Sequence, residues 1–284
     1  MTTTSTVATD DLPDTTRRYL DLLRSALTCS LWDGGDGSLW EPRGGAKRVV
    51  ARAVRRTGME IVKRATPQDR RDGLDWPRLA HTMTGERRMR NLQECTERVI
   101  LDGVAGDLIE TGAWRGGACI LMRGVLAAYG VTDRTVWVAD SFEGLPAPDS
   151  ERYAADAGDR HHEFTELAVS VEQVRANFHR FGLLDDQVRF LQGWFRDTLP
   201  TAPIDRLAVL RLDGDMYEST TEALTALYPK LSDGGFCIVD DYGAVPGCRT
   251  AVEDYRAAHR VTDPITGIDW TGIYWRKNAP STST

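Results

Sequence analysis

The sequence has no paired cysteines. Cys29, Cys95, Cys119, Cys237 and Cys248 stand singly, and no CxxC occurs. That pattern favours reduced thiols in a cytoplasm over a disulfide framework. Zinc spacing of His and Cys is missing as well. No apolar run approaches the ~20 residues that span a bilayer. The opening "MTTTSTVATDDLPD" has no apolar core, so a signal peptide is not expected. Surplus positive charge is lacking: the net charge is −7, which gives no reason to expect nucleic acid or a membrane surface as partner. Neither GxGxxG nor GKS/GKT occurs, so a phosphate cradle is not expected. No internal repeat is visible.

What is present suits one α/β domain with additions: 284 residues, 41% of them hydrophobic. Residues 13–29 carry apolar positions at helical spacing, with Asp14 or Thr15 as cap. Residues 46–65 predict a basic amphipathic helix, read as a solvated face rather than a membrane-lying one. Residues 84–103 predict another helix. From about 106 onward strands and helices alternate. Strands are expected at 106–112, 134–141, 187–194, 205–215 and 234–241. Helices are expected at 116–130, 169–182, 219–231 (capped by Ser219) and 247–260, and a closing hairpin at 265–277. The alternation implies a doubly wound sheet, mostly parallel, with ligands at the carboxyl ends of its strands. The expected organisation is a tail at 1–13, an N-terminal helical extension at 14–104, an α/β domain at 105–278 with an insertion at 147–168, and a tail at 279–284.

The strand ends carry the chemistry. In "DLIETGAWRGGAC", Glu110 precedes Gly112, Gly116 and Gly117, which permit a tight turn and close ligand approach. An acid there would repel a pyrophosphate but suit an amine or a sulfonium; an ordinary βα turn is the alternative. In "VWVADSFEG", Asp140 ends the next strand, where an acid can accept from a ribose diol or simply cap. In "RFLQGWF", Gly193 and Trp194 could flank a purine, or Trp194 could be core. "LRLDGDMY" and "FCIVDDYG" bring Asp213, Asp215, Asp240 and Asp241 to adjacent strand ends. Like charges that close need neutralising, and a hard divalent cation, Mg²⁺, fits oxygen ligands best. The alternative is that some of these acids cap helices or pair with Arg.

Taken in order, "LAHTMTGERRMRNLQ", "DLIETGAWRGGA", "VWVADSFEG", "QVRFLQGWF", "LRLDGDMY" and "FCIVDDYG" resemble the macrocin-type antibiotic-sugar O-methyltransferases over roughly residues 76–278. The resemblance implies a class I methyltransferase, Rossmann-like fold with a C-terminal antiparallel strand and a lid. It implies S-adenosylmethionine and Mg²⁺ as cofactors, a glycosylated natural product as acceptor, and a homodimer. It further implies methylation of a deoxysugar hydroxyl, the 4-hydroxyl of noviose in aminocoumarins above all. By the same resemblance Glu110, Thr111, Gly112, Trp114, Arg115, Gly116 and Gly117 would hold the methionine end of the donor. Asp140 would hold its ribose, with Ser141, Gly193 and Trp194 near the adenine. Thr82 and Met83 would close over it, with Asp213 reaching both donor and metal, and Asp213, Asp240 and Asp241 would be the metal ligands. The segments 34–70 and 147–168 vary most and are expected to form acceptor pocket and lid. His161, His162 and Asp197 are the candidate general bases. Methylation of a macrolide deoxysugar, a phenol-directed, catechol-type enzyme and a non-catalytic cofactor-binding protein remain as other readings.

Overall fold

The computed structural model describes residues 13–32, 37–40, 42 and 44–278. The tails expected at 1–13 and 279–284 lie outside the described residues, except Pro13.

In chain order the elements are α1 (Asp14–Leu27), β1 (Gly37–Leu39), α2 (Gly45–Arg56), β2 (Val62–Arg64), α3 (Pro67–Asp72) and α4 (Glu86–Leu101). There follow β3 (Asp107–Thr111), α5 (Gly117–Ala128), β4 (Val136–Asp140), α6 (Val171–Arg180), β5 (Val188–Gln192) and α7 (Phe195–Thr198). The chain closes with β6 (Leu207–Leu212), α8 (Tyr217–Leu227), β7 (Leu231–Val239), α9 (Pro246–Ala258), β8 (Thr266–Gly267) and β9 (Ile273–Arg276).

The main sheet runs β5-β4-β3-β6-β7-β9-β8. Pairings are parallel from β5 to β7, and β9 joins β7 antiparallel. The strand order reverses direction between β3 and β6, where both connections leave the sheet and open a crevice. The central strands are mostly apolar because helices cover both faces, with Glu110 in β3 and Arg211 in β6 as buried charged exceptions. Alternate residues therefore divide between two cores. Leu108, Val136, Val138 and Ile238 pack under α1, α4, α5 and α6. Ile109, Trp137, Leu210, Cys237 and Val239 pack with α8 and α9.

Several local expectations change. The basic stretch 46–65 is helical only to Arg56, and its end forms β2, paired antiparallel with β1. No described residue of α2 is buried, so the short hairpin, not a core, limits the helix. Helix α1 starts after Pro13 without a side-chain cap, and Asp14 instead pairs with Arg18 at 2.7 Å. Helix α8 begins two residues early, so Ser219 lies inside it and caps nothing. Its first-turn N–H groups are taken by Asp156, from the insertion: Tyr217 N–H donates to Oδ1 at 2.7 Å and Glu218 N–H to Oδ2 at 2.9 Å. A cap borrowed from sixty residues away leaves no sequence pattern of the local kind.

Candidate functional site

The turn after β3 is shaped by clashes that only glycine avoids. Gly112 has φ +89°, and a Cβ on it would lie 1.7 Å from the carbonyl oxygen of Asp213. Any side chain would force the ends of β3 and β6 apart. A Cβ on Gly117 would lie 2.4 Å from the His81 carbonyl oxygen, and one on Gly116 would press Val174 at 2.8 Å. The Arg115 guanidinium lies 4.0 Å over the Trp114 ring and donates to the carbonyls of Arg78 (2.9 Å) and Ala80 (2.8 Å). Arg115, Gly116 and Gly117 thus clamp the turn to residues 77–82 and α6. They do not line the cavities described next, nor does Thr111.

Over the ends of β3, β4, β5 and β6 lies a cavity of about 710 Å³. It lies beyond the carboxyl ends of the strands, where sheets of this kind bind their ligands. Met83, Gly112, Trp114, Asp140, Ser141, Gly193, Trp194 and Asp213 all border it. The Asp140 carboxylate accepts from the N–H groups of Ala113 (2.7 Å), Trp114 (3.1 Å) and Phe142 (2.7 Å). Burial raises its pKa and these N–H groups pull it back. Asp140 therefore ties two loops together as well as facing the cavity.

A second cavity of about 630 Å³ shares Met83, Trp114 and Asp213 with the first and adds Thr82, Glu110, Asp240 and Asp241. Asp213, Asp240 and Asp241 each bring one carboxylate oxygen within 4.8 Å of the others. Two buried arginines already serve the cluster. Arg211 bonds Glu110, Asp213 (2.6 Å) and Asp240. Arg88 bonds Asp240 and, at 2.9 Å, Asp269. Asp241 has no arginine among its described hydrogen bonds; the Asp215 N–H donates to it at 3.3 Å.

Carboxylates still outnumber guanidiniums, and their pKa values show it. Burial pushes Glu110 up to about 7 against the pull of Arg211. Burial, then Asp213, lifts Asp215 to about 7, while His161 lowers it. Burial and the neighbouring acids Asp215, Asp213 and Asp240 drive Asp241 well up. A group of hard oxygen donors with surplus negative charge fits a divalent cation such as Mg²⁺. Asp213, Asp240 and Asp241 are the residues placed to hold it.

The candidate bases separate. His161 stands in a 3-10 turn of the insertion, and its Nδ1 meets Asp159 Oδ2 at 2.7 Å. His161 is half-buried and His162 exposed, and neither borders either cavity. Asp197 is exposed, 3.7 Å from Arg196, and likewise borders neither. The insertion itself folds over the first cavity, with Leu167 in its wall and the Trp114 indole N–H donating to the Glu166 carbonyl at 2.9 Å. The sequence reading missed Arg88, Arg211, Thr84 and Asp156. One signal was available for Arg211: it is a charged residue between Leu210 and Leu212, on the strand face that Asp213 continues.

A sheet of this order, with a cavity at the switch point and an acid cluster beside it, is a methyltransferase architecture. The family model described as Macrocin-O-methyltransferase (TylF) matches residues 16–277, and the chain belongs to that family. It is 61% identical to the 8-demethyl-8-(2,3-dimethoxy-alpha-L-rhamnosyl)-tetracenomycin-C 4'-O-methyltransferase of Streptomyces olivaceus, over 74% of this chain and 80% of that one. It is 58% identical to the demethyldecarbamoylnovobiocin O-methyltransferase of Streptomyces niveus, over 73% and 80%. Among solved structures, the O-methyltransferase NovP superposes with a TM-score of 0.82 at 48% identity, covering 93% of this chain and 100% of that one. The calicheamicin methyltransferase CalS11, at 19% identity and TM-score 0.54 over 86% and 99%, shares the fold. The chain is therefore an O-methyltransferase, and its fold and family imply S-adenosylmethionine as methyl donor.

Proposed function

We propose that the enzyme methylates a hydroxyl of a deoxysugar carried by a glycosylated antibiotic, with Mg²⁺ held by Asp213, Asp240 and Asp241. The observation that carries this reading is the carboxylate triad, its oxygens within 4.8 Å, bordering the first cavity through the shared Asp213. The named relatives support the acceptor class. They act on a rhamnosyl tetracenomycin, a novobiocin precursor and, at 55% identity over 74% of this chain and 84% of that one, mycinamicin III in Micromonospora griseorubida. Their identities to this chain are close together, so the shared class is proposed. The noviose 4-hydroxyl of an aminocoumarin is the member supported by both the novobiocin relative and the NovP structure.

Within this reading, Gly112, Asp140, Gly193 and Trp194 shape the donor cleft, and Met83 and Trp114 form its border with the acceptor side. Holding donor and acceptor in line is the largest share of the work. When bound, Mg²⁺ supplies acidification of one sugar hydroxyl and fixes its direction. Asp215, which borders the first cavity, would take the proton, with His161 of the insertion as the second candidate. Asp215 borders the donor cavity in a left-handed conformation, φ 59°, which is costly for a non-glycine residue and typical of functional positions. Asp159 engages His161 Nδ1 and leaves Nε2 as the nitrogen to accept.

The test is an acceptor screen with S-adenosylmethionine, followed by mass spectrometry. Deoxysugar glycosides of aminocoumarin, aromatic polyketide and macrolide type run beside free catechols, with Mg²⁺ or with EDTA. One added methyl on a glycoside, lost with EDTA, is expected. Turnover of catechols alone, or full turnover in EDTA, would overturn the proposal.

A further inference from the structure

Arg211 is the least accessible charged side chain of the site, 1% exposed, yet it lies in a strand that sequence pattern marks as plain core. Its guanidinium reaches four residues from separate parts of the chain. Nη1 donates to Glu110 at the end of β3 and to Asp213 after β6, the latter at 2.6 Å. Nη2 donates to Asp240 after β7 and to the Thr84 hydroxyl, at 2.9 Å, just before α4. One planar fork therefore fixes the mutual spacing of three strand ends and a helix entrance. A planar, always-charged fork with fixed donors can do this, and a single ammonium cannot.

We propose that Arg211 is a positioning residue that presets Asp213 and Asp240 as ligands of one divalent cation and holds Glu110 beside them. The inference rests on the reading above that the triad binds such a cation. Two facts support it. Asp213 and Asp240 are both ion-paired to Arg211, so their separation is set before any ion arrives. Arg88 secures the remaining oxygen of Asp240 and is itself held by Asp269. The cluster is thus built as a scaffold of two arginines with carboxylate lone pairs left over, and Asp241 stands outside both pairs. Outer partners of this kind typically set metal affinity ten- to a hundred-fold.

The test is Mg²⁺ titration calorimetry on full-length protein, with Mn²⁺ as a second probe, alongside the Mg²⁺ concentration that gives half-maximal methylation. Arg211→Lys keeps the charge and loses the fork. Its Mg²⁺ affinity is expected to fall about tenfold, with the half-maximal concentration shifting equally and the rate recovering at high Mg²⁺. Thr84→Val removes only the hydroxyl that steadies Nη2, and keeps the inference testable if the Arg211 variant does not fold. It is expected to weaken Mg²⁺ in the same direction by about threefold. Unchanged or tighter Mg²⁺ binding in the variants that fold would overturn the role of Arg211, even if their melting temperature falls. Absence of Mg²⁺ and Mn²⁺ uptake by the unmodified enzyme would instead overturn the metal reading on which this one stands.

Discussion

Replacing Asp156 by Ala should destabilise the protein through a helix that Asp156 does not belong to. Its two carboxylate oxygens receive the first N–H groups of α8, at 2.7 and 2.9 Å, and the residue is 3% exposed. Each hydrogen bond to a charged group contributes about 1.5–3 kcal/mol. The Tyr217 N–H is only partly buried, so water can replace one partner when the carboxylate is gone. That leaves a net loss of about 2–4 kcal/mol, and at about 2–4 °C per kcal/mol a fall of roughly 4–16 °C in melting temperature. Gly247 shows how closely the carboxylate is seated, since a Cβ there would meet Asp156 Oδ1 at 2.8 Å. The assay is urea unfolding at neutral pH on Asp156→Ala beside Ser219→Ala. Ser219 is where local pattern places the cap, but the structure puts it inside the helix with no capping hydrogen bond, so its change should cost clearly less than that of Asp156. A loss below about 0.5 kcal/mol for Asp156→Ala, or equal losses for the two variants, would refute the reasoning.

The proton-transfer roles predict an unequal series. His161→Gln should lower kcat by about a hundredfold, whereas His162→Gln and Asp197→Asn should keep near-normal rates, all read in steady-state assays with saturating donor. Gly112→Ala should weaken S-adenosylhomocysteine binding more than tenfold in calorimetry, because the new Cβ would stand 1.7 Å from the Asp213 carbonyl oxygen and the φ of +89° is strained besides. His81 offers a pH test. Burial, then Arg115 and Arg180, lowers its pKa to about 4, and its Nδ1 is buried without a hydrogen bond. The unfolded chain takes up that proton near pH 6.5, so its contribution is constant above that pH and stability falls as the pH drops from 6.5 towards 4. The full shift corresponds to about 3 kcal/mol, and solvent screening of this partly exposed ring reduces it to about 1–2 kcal/mol. Denaturation midpoints at pH 7 and pH 5 should differ less for His81→Phe than for the unmodified enzyme.

Much was legible in the chain. The alternation of short apolar runs with helical spacing announced the parallel sheet, because a sheet covered on both faces leaves its strands mostly apolar. The acids at strand ends announced a charged cluster, because carboxylates that close need neutralising, and Arg88 and Arg211 supply part of it. The sequence alone therefore determined the architecture, the antiparallel closing strand, the cleft bordered by Gly112, Asp140 and Gly193, and the convergence of Asp213, Asp240 and Asp241. Only tertiary structure decided how the charges are shared. Arg88 from α4 and Arg211 from β6 meet the acids, Thr84 just before α4 steadies Arg211, Asp156 reaches α8 from the insertion, and Asp197 is left outside. Those partners are far apart in sequence, and each is a single residue with no period or motif of its own. Their pairing depends on strand order and on where a loop returns, which local propensity does not encode.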